Sequence, residues 1–136
     1  MRVESRARAR ALQAIYAWDL RGEQNLDRVS AQIWDDLAVA PEERKLAGVL
    51  LRTLQEQRVE LDRLLAEVTT NWRLERLGVI ERSVLRLAAA ELQRGETPPR
   101  VVLREAIRLA ERYGSMESAR FVNGVLDALA RKLGRL

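Results

Sequence analysis

The sequence predicts an all-α protein, and three observations support this fold class. Apolar residues recur at spacings of three and four along most of the 136-residue chain, which is the period of an amphipathic helix. Almost no stretch alternates apolar and polar residues as a half-buried strand would. Glycines and prolines divide the chain into segments of helical length. We therefore expect seven helices packed into two helical-bundle subdomains.

Breakers and caps give each helix its place in the chain. Gly22 is suited to end the first helix, and Asn25 or Asp27 can cap the second. Pro41, followed by two acidic residues, opens a third helix of about 30 residues that contains no breaker. The expected segments are about 6–20, 26–37, 41–71, 74–77, 80–94 and 99–113, followed by a last helix capped by Ser115 or Ser118.

These helices are expected to form one domain over residues 1–136. The joint within it is expected between Asn71 and Gly78, where a short turn of helix separates the longer segments. An N-terminal three-helix subdomain covers about residues 1–71, and a C-terminal four-helix subdomain covers about residues 72–136. A chain of this length can hold two small helical units that share a core.

The composition excludes several classes of protein. The chain contains neither histidine nor cysteine, so it cannot build the usual zinc sites or the nucleophile arrangements that need either residue. No apolar run approaches the length of a membrane span, and no signal-peptide core follows the N-terminus. Carboxylates could still act as acid-base groups or hold magnesium, but most stand beside arginine at helical spacing, as on solvated helix faces. We expect a cytoplasmic protein with no membrane segment, catalytic residue, cofactor or metal.

The net charge of +4 is unevenly distributed along the chain. Residues 1–10 carry a net charge of +3, residues 11–72 carry −4 and residues 73–136 carry +5. This distribution favours one surface that faces a polyanion. Of the 24 cationic side chains 22 are arginine, whose planar fork suits phosphate and base edges, although a codon bias toward arginine gives the same count.

Arginine is densest near the N-terminus, at Arg6, Arg8 and Arg10. In a helix Arg6 and Arg10 share a stripe and Arg8 points away, whereas in an extended arm all three share one face. Either arrangement gathers guanidinium groups that a phosphate backbone would neutralise with release of counterions. The alternative is a solvated helix start. Tyr16 and Phe121 flank the two most basic stretches, where either ring could stack on a splayed base.

The stretch RFVNGVLDALARKLG, from Arg120 to Gly134, places a turn dipeptide inside a helical pattern. Asn123 and Gly124 both tolerate positive φ, yet the apolar residues continue in helical phase through them. A glycine inside a helix costs about 1 kcal/mol relative to alanine. We expect both residues to be helical and Gly124 to let the last helix pack closely against a neighbour, with nucleotide contact falling more to Arg120 and Phe121.

Three segments together resemble the NusB family of bacterial transcription antitermination factors. They are RARARALQAIYAWDL near the N-terminus, LERLGVIERSVLRLAAAEL in the middle, and TPPRVVLREAIRLAERYGSMESARFVNGVLDALARK toward the C-terminus. The resemblance spans nearly the whole chain, and the pattern GS-x-x-S-x-x-FVNGVLD is its most specific part. It implies a fold of two perpendicular helical bundles and no catalysis.

The resemblance also implies a function and partners. Proteins of this family bind the boxA element of nascent RNA together with NusE, a protein of the small ribosomal subunit. The pair supports antitermination complexes on RNA polymerase, notably on ribosomal RNA operons. Both a monomer and a homodimer fit the sequence. The alternative function is a helical protein-protein adaptor without selective RNA binding.

Carried over residue by residue, the resemblance implies two sets of contact residues. The set expected at RNA is Arg6, Arg8, Arg10, Tyr16, Arg86, Arg120, Phe121 and Asn123. The set expected at NusE is Trp72, Leu74, Glu75, Leu77, Glu81 and Arg82. The chain departs from the family's pattern at Ala90, where an aromatic residue is common, and at Arg104, where asparagine is common. The second departure adds a positive charge.

Overall fold

The computed structural model describes residues 2–22, 25–69 and 73–136. Within these ranges the protein is all-α, as predicted, and no residue lies in a strand. No helix among them is long and apolar enough to cross a membrane. The α-helices are α1 (Val3–Arg21), α2 (Leu26–Asp36), α3 (Pro41–Val68), α4 (Val79–Arg94), α5 (Pro99–Tyr113) and α6 (Met116–Lys132).

The prediction of seven helices needs one change. The fourth expected helix is a single 3₁₀ turn, Leu74–Arg76, so the described ranges hold six α-helices and one 3₁₀ helix. The turn stops at Leu77 because the backbone there is extended, at φ −72° and ψ 155°. The other predicted helices are present, with ends within about three residues of those expected.

Short-range signals set the ends of several helices. Asn25 Oδ1 accepts a hydrogen bond from the backbone N–H of Arg28 at 3.2 Å, so Asn25 is the cap of α2. Ser115 Oγ accepts a hydrogen bond from the backbone N–H of Ser118 at 3.1 Å and caps α6. Gly95 ends α4 with φ 73°, a left-handed conformation that glycine adopts without strain.

The longest helix, α3, bends at Gln57, whose backbone is non-helical at φ −117° and ψ 17°. This bend departs from the uninterrupted helix that the sequence predicted. No proline or glycine lies between residues 50 and 64, so neither of these local breakers accounts for the bend. The first half of α3 contacts the start of α1, through Glu43, and its second half contacts the end of α1, through Arg58.

One continuous core joins the helices. α1 packs against α2, α3 and α4, and α4 packs in turn against α3, α5 and α6. Each fully buried leucine contributes about 1.5–3 kcal/mol relative to an exposed one. The predicted boundary between the two subdomains, at residues 71 and 72, lies outside the described residues. The largest fully buried side chains are Leu12, Ile15, Val29, Leu51, Leu54, Leu61, Leu65, Val84, Leu85, Leu92, Leu126 and Leu129.

Asn123 and Gly124 lie inside α6 with helical backbone, as predicted, but the predicted reason for the glycine is wrong. A Cβ atom built on Gly124 meets no atom of the described chain within 4 Å, and both residues are exposed. None of the described helices approaches Gly124 closely. Its cost to the helix is therefore not offset by packing among the described residues.

Candidate nucleic-acid interface

The exposed side of α1 carries the accessible part of the arginine-rich segment. Because α1 starts at Val3, this segment is helical, and Arg6 and Arg10 lie one turn apart on one stripe. Their side chains are 44% and 30% exposed. Tyr16 also faces outward and is 38% exposed. We call the exposed side of this helix, with Arg2, Arg6, Arg10 and Tyr16, the α1 surface.

Glu43, in the first turn of α3, anchors both of these arginines. Its two carboxylate oxygens accept hydrogen bonds from Arg6 Nε and Arg10 Nε, each at 3.2 Å. Burial acts to raise the pKa of Glu43, but the hydrogen bonds and charges of Arg10 and Arg6 outweigh it and lower the pKa below its ordinary value. Arg10 Nη1 also donates to Gln13 Oε1 at 3.2 Å. The two arginines are thus held in place while both side chains remain partly exposed.

The predicted RNA set groups Arg8 with Arg6 and Arg10, but the structure places Arg8 apart from them. Its side chain is only 10% exposed and reaches α4 and α5. Nε and Nη2 donate to Glu91, with a shortest distance of 2.6 Å, and Nη1 donates to Glu105 at 3.1 Å. Burial acts to lower the pKa of Arg8, but the two carboxylates raise it above its ordinary value, so the guanidinium stays charged.

The carboxylates that hold Arg8 receive further hydrogen bonds. Ser5 Oγ donates to Glu105 at 2.5 Å, and Thr97 Oγ1 donates to Glu91 at 2.8 Å. Such donors satisfy lone pairs that would otherwise be buried without a partner. The network joins α1 to α4 and α5. Arg8 therefore fixes the position of the helix that presents the α1 surface.

A second group of ion pairs holds Arg82 and Arg86. The family resemblance assigned Arg82 to the NusE set and Arg86 to the RNA set. Arg82 donates to both oxygens of Asp19 at 2.7 Å, and Arg86 donates to Asp19 at 3.0 Å and to Asp62 at 3.0 and 3.1 Å. Both arginine side chains are 12% exposed. The hydrogen bond from Arg82 lowers the pKa of Asp19 below its ordinary value, although burial opposes it. These contacts bind the end of α1 to α4 and α3 and leave little of either arginine for a partner.

The start of α6 presents the other part of the predicted RNA set. The side chain of Arg120 is exposed, and within the ranges that the structure describes it makes no ion pair or hydrogen bond. Phe121 is half-buried and packs against the core, and Asn123 is exposed. A cation and an amide thus stand at the surface beside a partly accessible ring.

α5 connects this region with α1. Glu105 contacts Ser5 near the start of α1, and Arg112, seven residues further along α5, lines one groove with Ala9. α1 and α5 thus both line this groove, and only two residues separate the end of α5 from the start of α6.

The predicted NusE set is only partly at the surface. Trp72 lies outside the described residues. Leu74 is buried, and Arg82 is held by Asp19 as described above. The members of the set that reach the surface are Glu75, Leu77 and Glu81.

A cavity of about 690 Å³ adjoins this set, and the sequence did not predict it. Asp19 and Arg82 line one side of it, and Val59 and Asp62 of α3 line another. Val59 is 83% exposed, which is unusual for a β-branched apolar side chain on a helix. The sequence signal for this exposure was that Val59 falls outside the helical repeat of apolar residues in α3. The cavity combines an apolar side chain with charged ones and has room for a partner's side chains.

The sequence analysis also missed the acidic partners of the buried arginines. Glu91 stands within residues 88–92, all of which are buried, and Glu105 falls on the apolar face of α5. A charged residue in phase with an apolar face is the signal that could have found them, since such a group needs a buried counter-charge. One sequence does not reveal which arginine supplies that charge.

The described residues form an all-α protein that presents arginine side chains and partly exposed aromatic rings on α1 and at the start of α6. The sequence model of the NusB family matches residues 5–131 of the chain. The protein belongs to the NusB family. Its relatives are transcription antitermination proteins, so the prediction that it is not an enzyme is confirmed.

Relatives match along almost their entire length. The transcription antitermination protein NusB of Sorangium cellulosum (strain So ce56) is 43% identical over 137 residues, which cover 100% of this chain and 97% of that protein. NusB of Anaeromyxobacter dehalogenans (strain 2CP-1) is 44% identical over 130 residues, which cover 95% of this chain and 91% of that protein.

Solved structures confirm the fold. T. maritima NusB superimposes with a TM-score of 0.84 at 32% identity, covering 94% of this chain and 90% of that chain. A crystal structure of the antitermination factors NusB and NusE in complex with double-stranded RNA contains a chain with a TM-score of 0.89 at 29% identity, covering 97% of this chain and 98% of that chain.

Proposed function

We propose that this protein binds boxA RNA together with NusE in the cytoplasm and supports antitermination complexes on RNA polymerase, notably on ribosomal RNA operons. Family membership supports the proposal, as does the crystal structure of a similar chain with NusE and double-stranded RNA. The observation that carries it is the α1 surface, where Glu43 holds two partly exposed arginines on the helix that also exposes Tyr16.

On this proposal the α1 surface and the start of α6 divide the work of binding RNA. Arg6 and Arg10 neutralise phosphates, because a partly exposed guanidinium can exchange a carboxylate for a phosphate oxygen. Tyr16 and Phe121 offer faces on which unpaired bases stack. Arg120 adds an exposed cation next to Phe121 in the chain.

The other members of the RNA set take different roles. Asn123 is exposed, and its side-chain amide can both donate to and accept from a base edge. Arg8 and Arg86 are buried in ion pairs, so they act as positioning residues that hold α1 in place.

The proposed NusE surface is built from the 3₁₀ turn and the start of α4. Glu75, Leu77 and Glu81 would contact the partner directly, together with Trp72. Leu74 and Arg82 would support them from beneath, because Leu74 is buried and Arg82 Nη1 donates to the carbonyl of Leu77 at 2.8 Å. The adjoining cavity offers room for a side chain of NusE.

Fluorescence anisotropy tests the proposal as a whole. Labelled boxA RNA and a scrambled RNA of equal length are titrated with the protein alone and with NusE, at two salt concentrations. We expect tighter binding to boxA, strengthened by NusE. Equal binding to both RNAs with and without NusE contradicts the proposal and favours the adaptor.

The α1 surface is tested by the variant R6Q/E43Q/R10Q, which removes two cations together with the carboxylate that holds them. The slope of log affinity against log salt should become shallower by about 1.4, at roughly 0.7 for each phosphate that is no longer neutralised. The matched control R28Q/E42Q/R52Q removes the same charges from exposed positions on α2 and α3 and should leave the slope unchanged. An unchanged slope in the first variant would remove the α1 surface from the RNA site.

A further inference from the structure

A row of arginines on α5 has no part in the surfaces described above. Arg100, Arg104 and Arg108 are exposed and stand four residues apart, and we call them the α5 row. Each step of four residues rises about 6 Å along a helix and turns about 40° around it. The three guanidinium groups therefore stand on one side of α5 at regular intervals.

Little in the described chain neutralises the α5 row. The side chains of Arg100 and Arg104 make no ion pair or hydrogen bond among the described residues. Arg108 reaches Glu105 only at 3.5 Å, and its side chain remains 55% exposed. The carboxylate of Glu105 already accepts hydrogen bonds from Ser5 and from the buried guanidinium behind it. Like charges at a spacing of four residues repel each other, so an anionic partner would relieve the row of an unfavourable interaction.

The α5 row borders a groove of about 530 Å³. Leu103 and Ile107 line its floor between the arginines, and Arg131 and Leu136 close it from the end of the chain. Among the residues that the structure describes, no aspartate or glutamate lines this groove. Arg131 adds a fourth guanidinium, although it also pairs with Asp127 at 2.9 Å. The groove therefore favours an anion where it borders the α5 row.

A second groove, of about 390 Å³, continues this surface toward the α1 surface. Arg108 lines both grooves, and in the second one it stands with Arg112 opposite Ser5 and Ala9 of α1. Glu105 and Glu111 also line this groove, so it is less positive than the first. Ala9 adjoins Arg10 in the chain. A polymer that leaves the α1 surface across Ala9 would meet Arg112 and Arg108 before the rest of the α5 row.

We infer that the α5 row binds the sugar-phosphate backbone of the RNA that flanks the segment held by the α1 surface. This inference rests on the proposed function and extends it from one RNA segment to a longer path. A regular series of cations along a groove suits a polymer with a charge at each repeat, and the arginine fork binds phosphate oxygens in pairs. Backbone contacts of this kind position RNA without reading its sequence.

The test compares two labelled RNAs, boxA alone and boxA with flanking nucleotides of arbitrary sequence on both sides. The variant R100Q/R104Q/R108Q replaces the α5 row with a good helix former. Its matched control R28Q/K45Q/R52Q removes three exposed cations from α2 and α3, away from the surfaces proposed for RNA and NusE. Circular dichroism melts check that all three proteins are folded to the same extent.

We expect the row variant to lose affinity for the long RNA by roughly tenfold or more at about 0.1 M salt, with a salt slope shallower by about 2. Its affinity for boxA alone should match that of the wild-type protein. The control variant should bind both RNAs as the wild-type protein does.

Several outcomes overturn the inference. An unchanged affinity for the long RNA removes the row from the RNA path, and an equal loss in the control shows a general effect of charge. An equal loss of affinity for boxA alone places the α5 row at the site that binds boxA itself and not at the flanking RNA. Loss of NusE binding with RNA binding intact assigns the row to a protein partner.

The proposed function fails separately, when wild-type protein does not prefer boxA to a scrambled RNA. The comparison of row variant and control on the long RNA remains decisive in that case. A wild-type protein that binds neither RNA overturns both.

Discussion

Nη2 of Arg8 lies 2.6 Å from Oε2 of Glu91, in a contact that joins α1 to α4 below the surface. The Coulomb attraction of such a pair is largely cancelled by the cost of removing both charges from water. The pair is therefore a weak source of net stability as long as it is intact. Loss of one partner is a different matter, because the remaining charge is then buried without compensation.

The variant Arg8→Met should accordingly lose about 3–5 kcal/mol of unfolding free energy, since Glu91 and Glu105 would remain buried without their cation. Urea denaturation followed by circular dichroism measures this loss. The variant R8M/E91Q/E105Q removes all three charges and should recover part of it. Arg52→Gln is the control, because Arg52 is exposed and a surface change of this kind usually stays within about 0.5 kcal/mol. A loss below about 1 kcal/mol in Arg8→Met would contradict the structural role.

The helices could be predicted from the sequence because their signals are local. The roles of the individual arginines could not be predicted as fully. The helical arrangement considered for the N-terminal segment already separated Arg8 from Arg6 and Arg10, yet an extended arm remained open. Which of the two arrangements forms depends on the contacts of Arg8 with Glu91 and Glu105, which lie 83 and 97 residues away in the chain. Periodicity within one segment carries no information about such partners.

Asp19 should make the stability of the protein depend on pH. Its pKa is lowered in the folded state by the hydrogen bond from Arg82, so below about pH 4 the unfolded chain takes up a proton more readily than the folded one. The stabilisation is present above that pH and is lost as the pH falls through the lowered pKa. Asp19→Asn should therefore show a smaller decrease of unfolding free energy on acidification, measured by urea denaturation at a series of pH values.

At neutral pH the same variant should lose about 2–3 kcal/mol, because two guanidinium groups lose charged hydrogen bonds. Asp36→Asn serves as the matched control. Asp36 is exposed on α2 and makes no ion pair within the described chain, so its replacement should change neither quantity appreciably. A pH profile of Asp19→Asn that parallels that of the wild-type protein would show that the ion pairs of Asp19 do not couple folding to protons.

Glu43 should limit the affinity of the α1 surface for RNA. Its carboxylate occupies Arg6 and Arg10 and adds a negative charge beside any bound phosphate. At a distance of about 6 Å in water one charge changes the binding free energy by roughly 0.7 kcal/mol, which corresponds to about threefold in affinity. Glu43→Gln should therefore bind boxA RNA about threefold more tightly in an anisotropy titration.

Glu42→Gln is the control for this prediction, since Glu42 is an exposed neighbour in the same turn with the same charge. It should change RNA affinity less than Glu43→Gln does. Weaker binding by Glu43→Gln would mean that the carboxylate matters more for holding the arginines in place than for its charge.

Gly124 provides a test that separates stability from binding. A Cβ atom there meets nothing among the described residues, so Gly124→Ala should raise the unfolding free energy by about 0.5–1 kcal/mol. Gly48→Ala in α3 is the matched control, because a Cβ atom at Gly48 also meets nothing in the described chain. This variant should raise the unfolding free energy similarly.

Gly124 lies one turn after Arg120 on the same side of α6, where a methyl group would keep RNA at a distance. We therefore expect boxA affinity to fall in Gly124→Ala and to stay unchanged in Gly48→Ala. Equal affinities in both variants would show that RNA does not approach α6 at this glycine.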